Sequence, residues 1–66
     1  MVRTIKSLKV SPTERHFELS INKKTVQIAK WVDDDFCTDY EFIKGEEALN
    51  VDEREEVIDY IEDKRI

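Results

Sequence analysis

The segment WVDDDFCTDYEF, residues 31–42, concentrates the side chains that could carry out chemistry. It places four aspartates and one glutamate around the chain's only cysteine. With Asp33 at the first position of a calcium-binding loop, acidic and thiol side chains fill the next three ligand positions. However, Thr38 stands where that loop needs glycine, and Lys44 where it needs a bidentate glutamate. The spacing leaves open only a weak cation site at residues 33–35, and the plainer interpretation is a solvated acidic connection.

The cysteine and the single histidine do not form a catalytic or zinc-binding pattern. Cys37 lies between Asp35 and Asp39, whose negative charges disfavour a reactive thiolate. Phe36 beside it indicates instead that Cys37 is buried as a small hydrophobic residue. Together with His16, the cysteine supplies too few ligands for tetrahedral zinc. The chain also lacks a phosphate-binding loop, a serine elbow and a spaced carboxylate pair. We therefore expect a non-enzymatic protein without a metal or cofactor.

The length of 66 residues predicts one small domain. A chain of this size buries only about 60% of the surface that it exposes when unfolded, so a deep catalytic cleft would remove core that it needs. One cysteine cannot form an internal disulfide, and no apolar run reaches the roughly 18 residues of a membrane helix. The N-terminal residues also lack the apolar run of a signal peptide. We expect a cytoplasmic protein, cellular or viral, that does not associate with membranes.

Two segments, 15–22 and 26–32, alternate apolar and polar residues, which predicts a β-hairpin with one buried face. With residues 23–24 as the turn, Ile21 lies opposite Val26, and the apolar side chains of both strands share that face. No glycine supplies the positive φ of a tight two-residue turn here. The pairing of apolar residues is therefore the stronger argument for the hairpin.

The N-terminal segment predicts a further strand. A turn at Pro12 folds residues 2–10 back on the hairpin. This pairing places Leu8 beside Phe17 and Val10 on the same buried face. Ile5 breaks the alternation, which indicates a bulge or an edge position.

The C-terminal segment predicts a helix over residues 50–65, preceded by a short strand over residues 40–44. Asn50 is a favourable N-cap, and Glu53 stands at the third helical position of a capping box. An apolar stripe at helical spacing consists of Val51, Val57, Ile58 and Ile61. This stripe should cover the apolar face of the sheet.

The predicted fold is α+β: an antiparallel meander of three or four strands with one C-terminal helix packed on one face. Its parts are a basic meander (1–32), an acidic connection with a short strand (33–49) and an acidic amphipathic helix (50–65). The predicted core consists of Leu8, Val10, Phe17, Leu19, Ile21, Val26, Ile28, Val57, Ile58 and Ile61.

The distribution of charge is the strongest signal in the sequence. Residues 1–32 contain seven lysines or arginines and two glutamates, a net charge of +5. Residues 33–66 contain four lysines or arginines and fourteen aspartates or glutamates, a net charge of −10, so that the two halves add to −5. The segment WVDDD is the boundary between a basic and an acidic half.

One half of the predicted helix is a continuous row of carboxylates. At 100° per residue, this half contains Asp52, Glu53, Glu55, Glu56, Asp59, Glu62 and Asp63, with Tyr60 near its edge. Seven charges over about 17 Å give one charge per roughly 2.4 Å, similar to the roughly 1.7 Å of duplex DNA. Such a face can be merely solvated, but few basic partners stand three or four residues away. This arrangement favours a partner.

The sequence therefore predicts a small acidic binding protein, a nucleic-acid-mimicking inhibitor or adaptor, which docks its helix on a basic surface of a nucleic-acid-handling protein. The predicted binding residues are Asp52, Glu55, Glu56, Asp59, Tyr60, Glu62 and Asp63, supplemented by Asp33, Asp34 and Asp35. Tyr60 or Phe36 would supply an apolar anchor.

Two alternatives remain open at this point. The outer sheet face could bind nucleic acid through Arg3, Ile5, Lys9, His16, Ala29 and Trp31, with Lys23 and Lys24 at the hairpin tip. In the predicted register His16 lies opposite Trp31, which could stack on a base. The net charge of −5 opposes that function. In the other alternative, the basic sheet of one copy meets the acidic helix of another in a homo-oligomer.

Overall fold

The structure is a computed structural model that describes residues 1–64. Its elements are strands β1 (Val2–Ser11), β2 (Glu14–Ile21), β3 (Lys24–Val32) and β4 (Thr38–Lys44), a short 3₁₀ helix (Glu46–Ala48) and the helix α1 (Val51–Glu62). The strands form one antiparallel sheet in the order β1-β2-β3-β4. The predicted α+β meander with a single C-terminal helix is confirmed, and it has four strands. The helix ends before the predicted residue 65, which lies outside the described residues.

The hairpin between β2 and β3 turns at Asn22 and Lys23. Both residues have positive φ, 49° and 67°, as a tight two-residue turn requires, so the chain achieves this turn without glycine. Leu19 therefore lies opposite Val26, and the predicted pairing of Val26 with Ile21 is wrong by two residues. A shift of two keeps every side chain on its predicted face. The buried face of the hairpin was therefore predicted correctly despite the wrong turn.

Strand β1 departs from the predicted core. The register shifts at Ile5, where a bulge was predicted, and again at Val10. Each extra residue inverts the alternation of side chains, so Leu8 lies opposite His16 on the outer face rather than beside a core residue. Leu8 and Val10 are 53% and 45% exposed, and their assignment to the core is wrong. Val2 contributes to the core instead.

The core lies between one face of the sheet and α1. It consists of Val2, Phe17, Leu19, Ile21, Val26, Ile28, Val57 and Ile61, with Tyr40, Phe42, Leu49 and Tyr60 packed at its border. Ile58 is only half-buried. Val51 is 72% exposed, so its place in the stripe that covers the sheet is wrong.

Gly45 ends β4 where the sequence predicts a stop. Its φ is +93°, and a Cβ at this position would lie 2.5 Å from the carbonyl oxygen of Thr25. The chain can therefore pass this close to β3 only with glycine. Within residues 1–64, no helix is long and apolar enough to cross a membrane.

Candidate functional site

The acidic face of the helix consists of six exposed carboxylates: Asp52, Glu55, Glu56, Asp59, Glu62 and Asp63. At 100° per residue they lie within about 120° of the helix circumference. The buried side chains of Glu53, Val57 and Ile61 lie on the opposite side, against the sheet. The fold therefore places all six carboxylates on the exposed side of the helix.

Glu53 does not belong to this face, contrary to the sequence prediction. Its side chain is 7% exposed, and Oε1 accepts a hydrogen bond from Lys24 Nζ at 2.7 Å while Oε2 accepts one from Asn22 Nδ2 at 2.9 Å. Oε1 also accepts from the backbone N–H of Asn50, which completes the predicted capping box. The hydrogen bonds from Lys24, Asn22 and Asn50, in that order, lower the pKa of Glu53 to about 2. This carboxylate fastens the N-terminus of the helix to the hairpin turn.

Lys30 fastens the other end of the helix to the sheet. Its side chain is 6% exposed, and Nζ donates hydrogen bonds to the carbonyl oxygens of Ile61 (2.7 Å), Glu62 (3.2 Å) and Lys64 (2.6 Å). Burial lowers the pKa of Lys30, and the nearby charges of Glu62 and Asp63 oppose that shift. The last helical turn contains no basic residue, so Lys30 supplies the cation that helix C-termini favour. The sequence contained this signal, because Lys30 shares the phase of the buried residues of β3.

Two other cations near the helix, Arg54 and Lys64, have partners outside the acidic face. Arg54 pairs with Glu46 at 2.6 Å and lies 5.7 Å from the ring centre of Phe42. Lys64 lies over the ring of Tyr60, with Nζ 4.3 Å from its centre. Of the six carboxylates, only Glu56 forms an ion pair within residues 1–64, and that pair is a 3.6 Å contact with the N-terminal amine. Within the described residues, the acidic face is thus largely without ion pairs.

Tyr60 is held at the border of the acidic face. Its hydroxyl hydrogen-bonds Thr4 Oγ1 of β1 at 2.6 Å, and this bond is the main reason why the pKa of Tyr60 is lowered. The ring packs against the core and lines a groove between the chain's N-terminus and α1, together with Glu56 and Asp59. One edge of Tyr60 therefore remains accessible beside the carboxylates.

The acidic connection between β3 and β4 is an exposed loop organised by its own first aspartate. Asp33 Oδ1 accepts hydrogen bonds from the backbone N–H groups of Asp35 and Cys37, each at 3.0 Å. Asp34 and Asp35 are exposed. Cys37 is exposed as well, so its predicted burial is wrong, and Phe36 beside it is 90% exposed. Within residues 1–64, no three His, Cys, Asp or Glu side chains are gathered closely enough to hold a metal ion.

This loop lies at the same end of the sheet as the C-terminus of the helix. It begins directly after β3, whose Lys30 binds the last carbonyls of α1. The predicted supplement Asp33, Asp34 and Asp35 thus lies at this end of the sheet, with Asp33 engaged within the loop. Phe36 is the exposed aromatic residue of this end.

The residues of the alternative nucleic-acid site share the outer sheet face only in part. The register keeps four of them on that face: Arg3, His16, Ala29 and Trp31. Trp31 lies opposite Glu14 and Asp39, and His16 lies opposite Ala29, so the predicted pairing of His16 with Trp31 is wrong by the same two residues as the hairpin. His16 Nε2 instead lies 2.6 Å from Glu14 Oε2. Acidic neighbours on both sides of the indole oppose stacking against a phosphate-bearing strand.

The predicted basic residues are dispersed as well. Lys9 pairs with Arg15, in the phase of the face that carries the helix. Lys24 is engaged by Glu53. Only Lys23, at the hairpin tip, keeps the predicted exposed position among these lysines. Comparison with protein-family models, curated proteins and solved structures gave no match, so the functional argument that follows uses the geometry of this chain.

Proposed function

We propose that this chain is a small non-enzymatic binding protein whose acidic face docks on the basic surface of a nucleic-acid-handling protein. The observation that carries the proposal is that six carboxylates project from one helix while the nearby cations of residues 1–64 have other partners. Lys24 and Lys30 hold the ends of the helix, and Arg54 is paired with Glu46. The face therefore offers its charge to another molecule.

The spacing of these charges resembles that of a nucleic-acid backbone. Without Glu53, six carboxylates occupy the roughly 17 Å between residues 52 and 63, or one per about 2.8 Å. This value falls between about 1.7 Å for duplex DNA and about 3.4 Å for one of its strands. A surface that has evolved to neutralise phosphates would meet a similar charge density on this helix.

The six carboxylates of the acidic face also destabilise the helix, and this cost supports a functional role for them. Glu55 and Asp59, like Asp59 and Asp63, stand four residues apart, and each like-charge pair destabilises a helix by about 0.2–0.5 kcal/mol. Glu62 and Asp63 lie at the end of the helix where its dipole disfavours negative charge. The buried Lys30 offsets this cost without neutralising the exposed face.

In this proposal the carboxylates act mainly by attraction over distance and by contacts at the rim of the interface. Charge complementarity raises the association rate more than it slows dissociation. An apolar anchor would then supply much of the remaining affinity. Phe36 is the residue available for that role, since it is 90% exposed at the helix's C-terminal end, whereas Tyr60 is bonded to Thr4.

The test is displacement of nucleic acid. Purified basic DNA- and RNA-binding proteins are loaded with a short fluorescein-labelled duplex or single strand, and release is followed by anisotropy as this protein is added. We expect at least one member to release its nucleic acid, with a strong dependence on salt. The variant Glu55→Gln, Asp59→Asn, Glu62→Gln should release it at least about tenfold less effectively, chiefly through slower association.

A matched control separates the helix face from net charge. Glu18→Gln, Glu41→Gln, Glu47→Gln removes the same number of charges from positions outside α1. This control should compete nearly as well as the parent. Equal competition by the helix variant, or equal loss in both variants, would contradict a role for the acidic face, as would a panel from which no member releases its ligand.

A further inference from the structure

The face of the sheet that does not carry α1, here called the open face, is polarised along its strands. Toward the β2–β3 turn it presents Arg3, Lys6 and Lys44, with Glu18 opposite Lys6. Toward the β3–β4 loop it presents Glu14 and Asp39 on either side of Trp31, and Glu41 lies one row nearer the middle, opposite Ala29. One end of the open face is thus basic and the other acidic.

Apolar side chains occupy the middle of the open face. Leu8 and Ile43 are 53% and 50% exposed and line one shallow hollow with His16 and Gln27. Lys6 and Glu18 also line the hollow, so its aliphatic side chains are bordered by charges of both signs. Exposed aliphatic side chains surrounded by charges of both signs are typical of a protein–protein contact.

The edges of the sheet are less suited to association than this face. Two bulges, at Ile5 and Val10, interrupt β1, and Lys6 and Lys9 stand along it. Bulges and lysines are the usual devices that prevent one sheet edge from pairing with another. Strand β4, at the other edge, has seven residues and is interrupted by a register shift at Ile43. A second molecule would therefore meet the sheet through its face.

We propose that the open face is the contact between two copies of this chain in a two-fold symmetric dimer. A two-fold axis across the strands places the basic end of one copy over the acidic end of the other, so the polarity of the face is self-complementary. The same axis brings the two Leu8–Ile43 centres together. This proposal rests on the sheet alone and is independent of the function proposed for the acidic face.

The expected contact is small. Four strands about 4.8 Å apart and about eight residues long at roughly 3.3 Å per residue give a flat area of roughly 500 Å² per copy. The total of about 1,000 Å² is at the lower limit of specific interfaces, so we expect a dimer with a Kd in roughly the micromolar range. With layers about 10 Å apart, the two acidic helices would lie outermost and about 30 Å from each other.

One residue pair makes the arrangement testable. Lys44 and Glu41 lie in successive rows of the open face on β4, opposite Gln27 and Ala29. Neither forms an ion pair within residues 1–64. When β4 of one copy lies antiparallel over β4 of the other, Lys44 of each copy faces Glu41 of its partner copy. Both residues are exposed, so their substitution should leave the fold intact.

The experiment is sedimentation velocity of the full chain over a concentration series up to about millimolar. The parent should show a reversible monomer–dimer equilibrium. Lys44→Glu and Glu41→Lys should each raise the dimer Kd at least about tenfold, since each creates two like-charge contacts per dimer. An equimolar mixture of the two variants should recover dimers, because every such contact in the mixed dimer is again between opposite charges.

The controls are Lys9→Glu and Glu47→Lys, which change charge by the same amounts outside the open face and should leave the dimer Kd within about twofold. Recovery in the mixture cannot arise from altered net charge or from a folding defect in one variant. A parent that stays monomeric at the highest concentration would overturn the proposal. Dimers that neither single variant weakens would overturn it as well.

Discussion

Lys30 Nζ lies 2.7 Å from the carbonyl oxygen of Ile61, so the central strand β3 closes the C-terminus of the helix from inside the protein. Helices are more often closed by a glycine or by cations of their own last turn. Here the last turn carries acids, and the cation comes from a residue 31 positions earlier. The outward face of the helix can therefore be wholly acidic up to its end.

Replacement of Lys30 by methionine should destabilise the protein by about 1–3 kcal/mol, because three carbonyl oxygens lose their buried donor. Methionine keeps most of the aliphatic stem, so the loss reports the ammonium group. Lys6→Met, at an exposed position of β1, is the control and should change stability by less than about 0.5 kcal/mol. Urea unfolding followed by far-UV circular dichroism measures both. Equal stability of the two variants would show that the Lys30 hydrogen bonds contribute nothing.

Glu53→Gln should alter how stability depends on pH. Because the folded pKa of Glu53 is lowered to about 2, its contribution is complete above its ordinary value of 4.5 and is lost as the pH falls toward 2. The difference in unfolding free energy between the parent and Glu53→Gln should therefore be largest near neutral pH and shrink between pH 4.5 and 2. Other carboxylates titrate in both proteins and cancel in this difference. A difference that is constant across this window would mean that the charge of Glu53 is not what its hydrogen bonds stabilise.

Leu19→Ala and Leu8→Ala compare the same substitution on adjacent strands and opposite faces of the sheet. Leu19 is 0% exposed and lies in the core, so its truncation should cost about 2–5 kcal/mol. Leu8 is 53% exposed on the open face, and its truncation should cost less than about 1 kcal/mol in the monomer. Unfolding at a concentration well below that of dimer formation measures both. A larger loss for Leu8 would contradict the bulged register of β1.

How much of this structure could be read from the sequence depended on whether the signal was local. The capping box of Asn50 and Glu53 and the alternation in β2 are local patterns, and both were predicted correctly. The register of β1 was not, because each bulge adds one residue at a position fixed only by pairing with β2. A single shift moved Leu8 from the predicted core to the open face.

The same distinction holds for the candidate site. Helical periodicity was enough to identify six of the seven predicted carboxylates as one exposed face. It could not show that Glu53 turns inward, since that depends on Lys24 and Asn22, which lie on another element. For Lys30 the phase of β3 pointed to burial, but its acceptors on α1 were visible only once the helix was placed on the sheet.

The acidic face should by itself destabilise the protein. Glu55→Gln, Asp59→Asn, Glu62→Gln removes the like-charge pairs around Asp59 and should raise the unfolding free energy by about 0.5–1 kcal/mol at low salt. At about 1 M salt, where the screening length falls to about 3 Å, most of this gain should disappear. Glu18→Gln, Glu41→Gln, Glu47→Gln removes equal charge from separated positions and should give a smaller gain. If the helix variant is less stable than the parent at low salt, these carboxylates serve the fold, and the argument that their charge is kept for a partner fails.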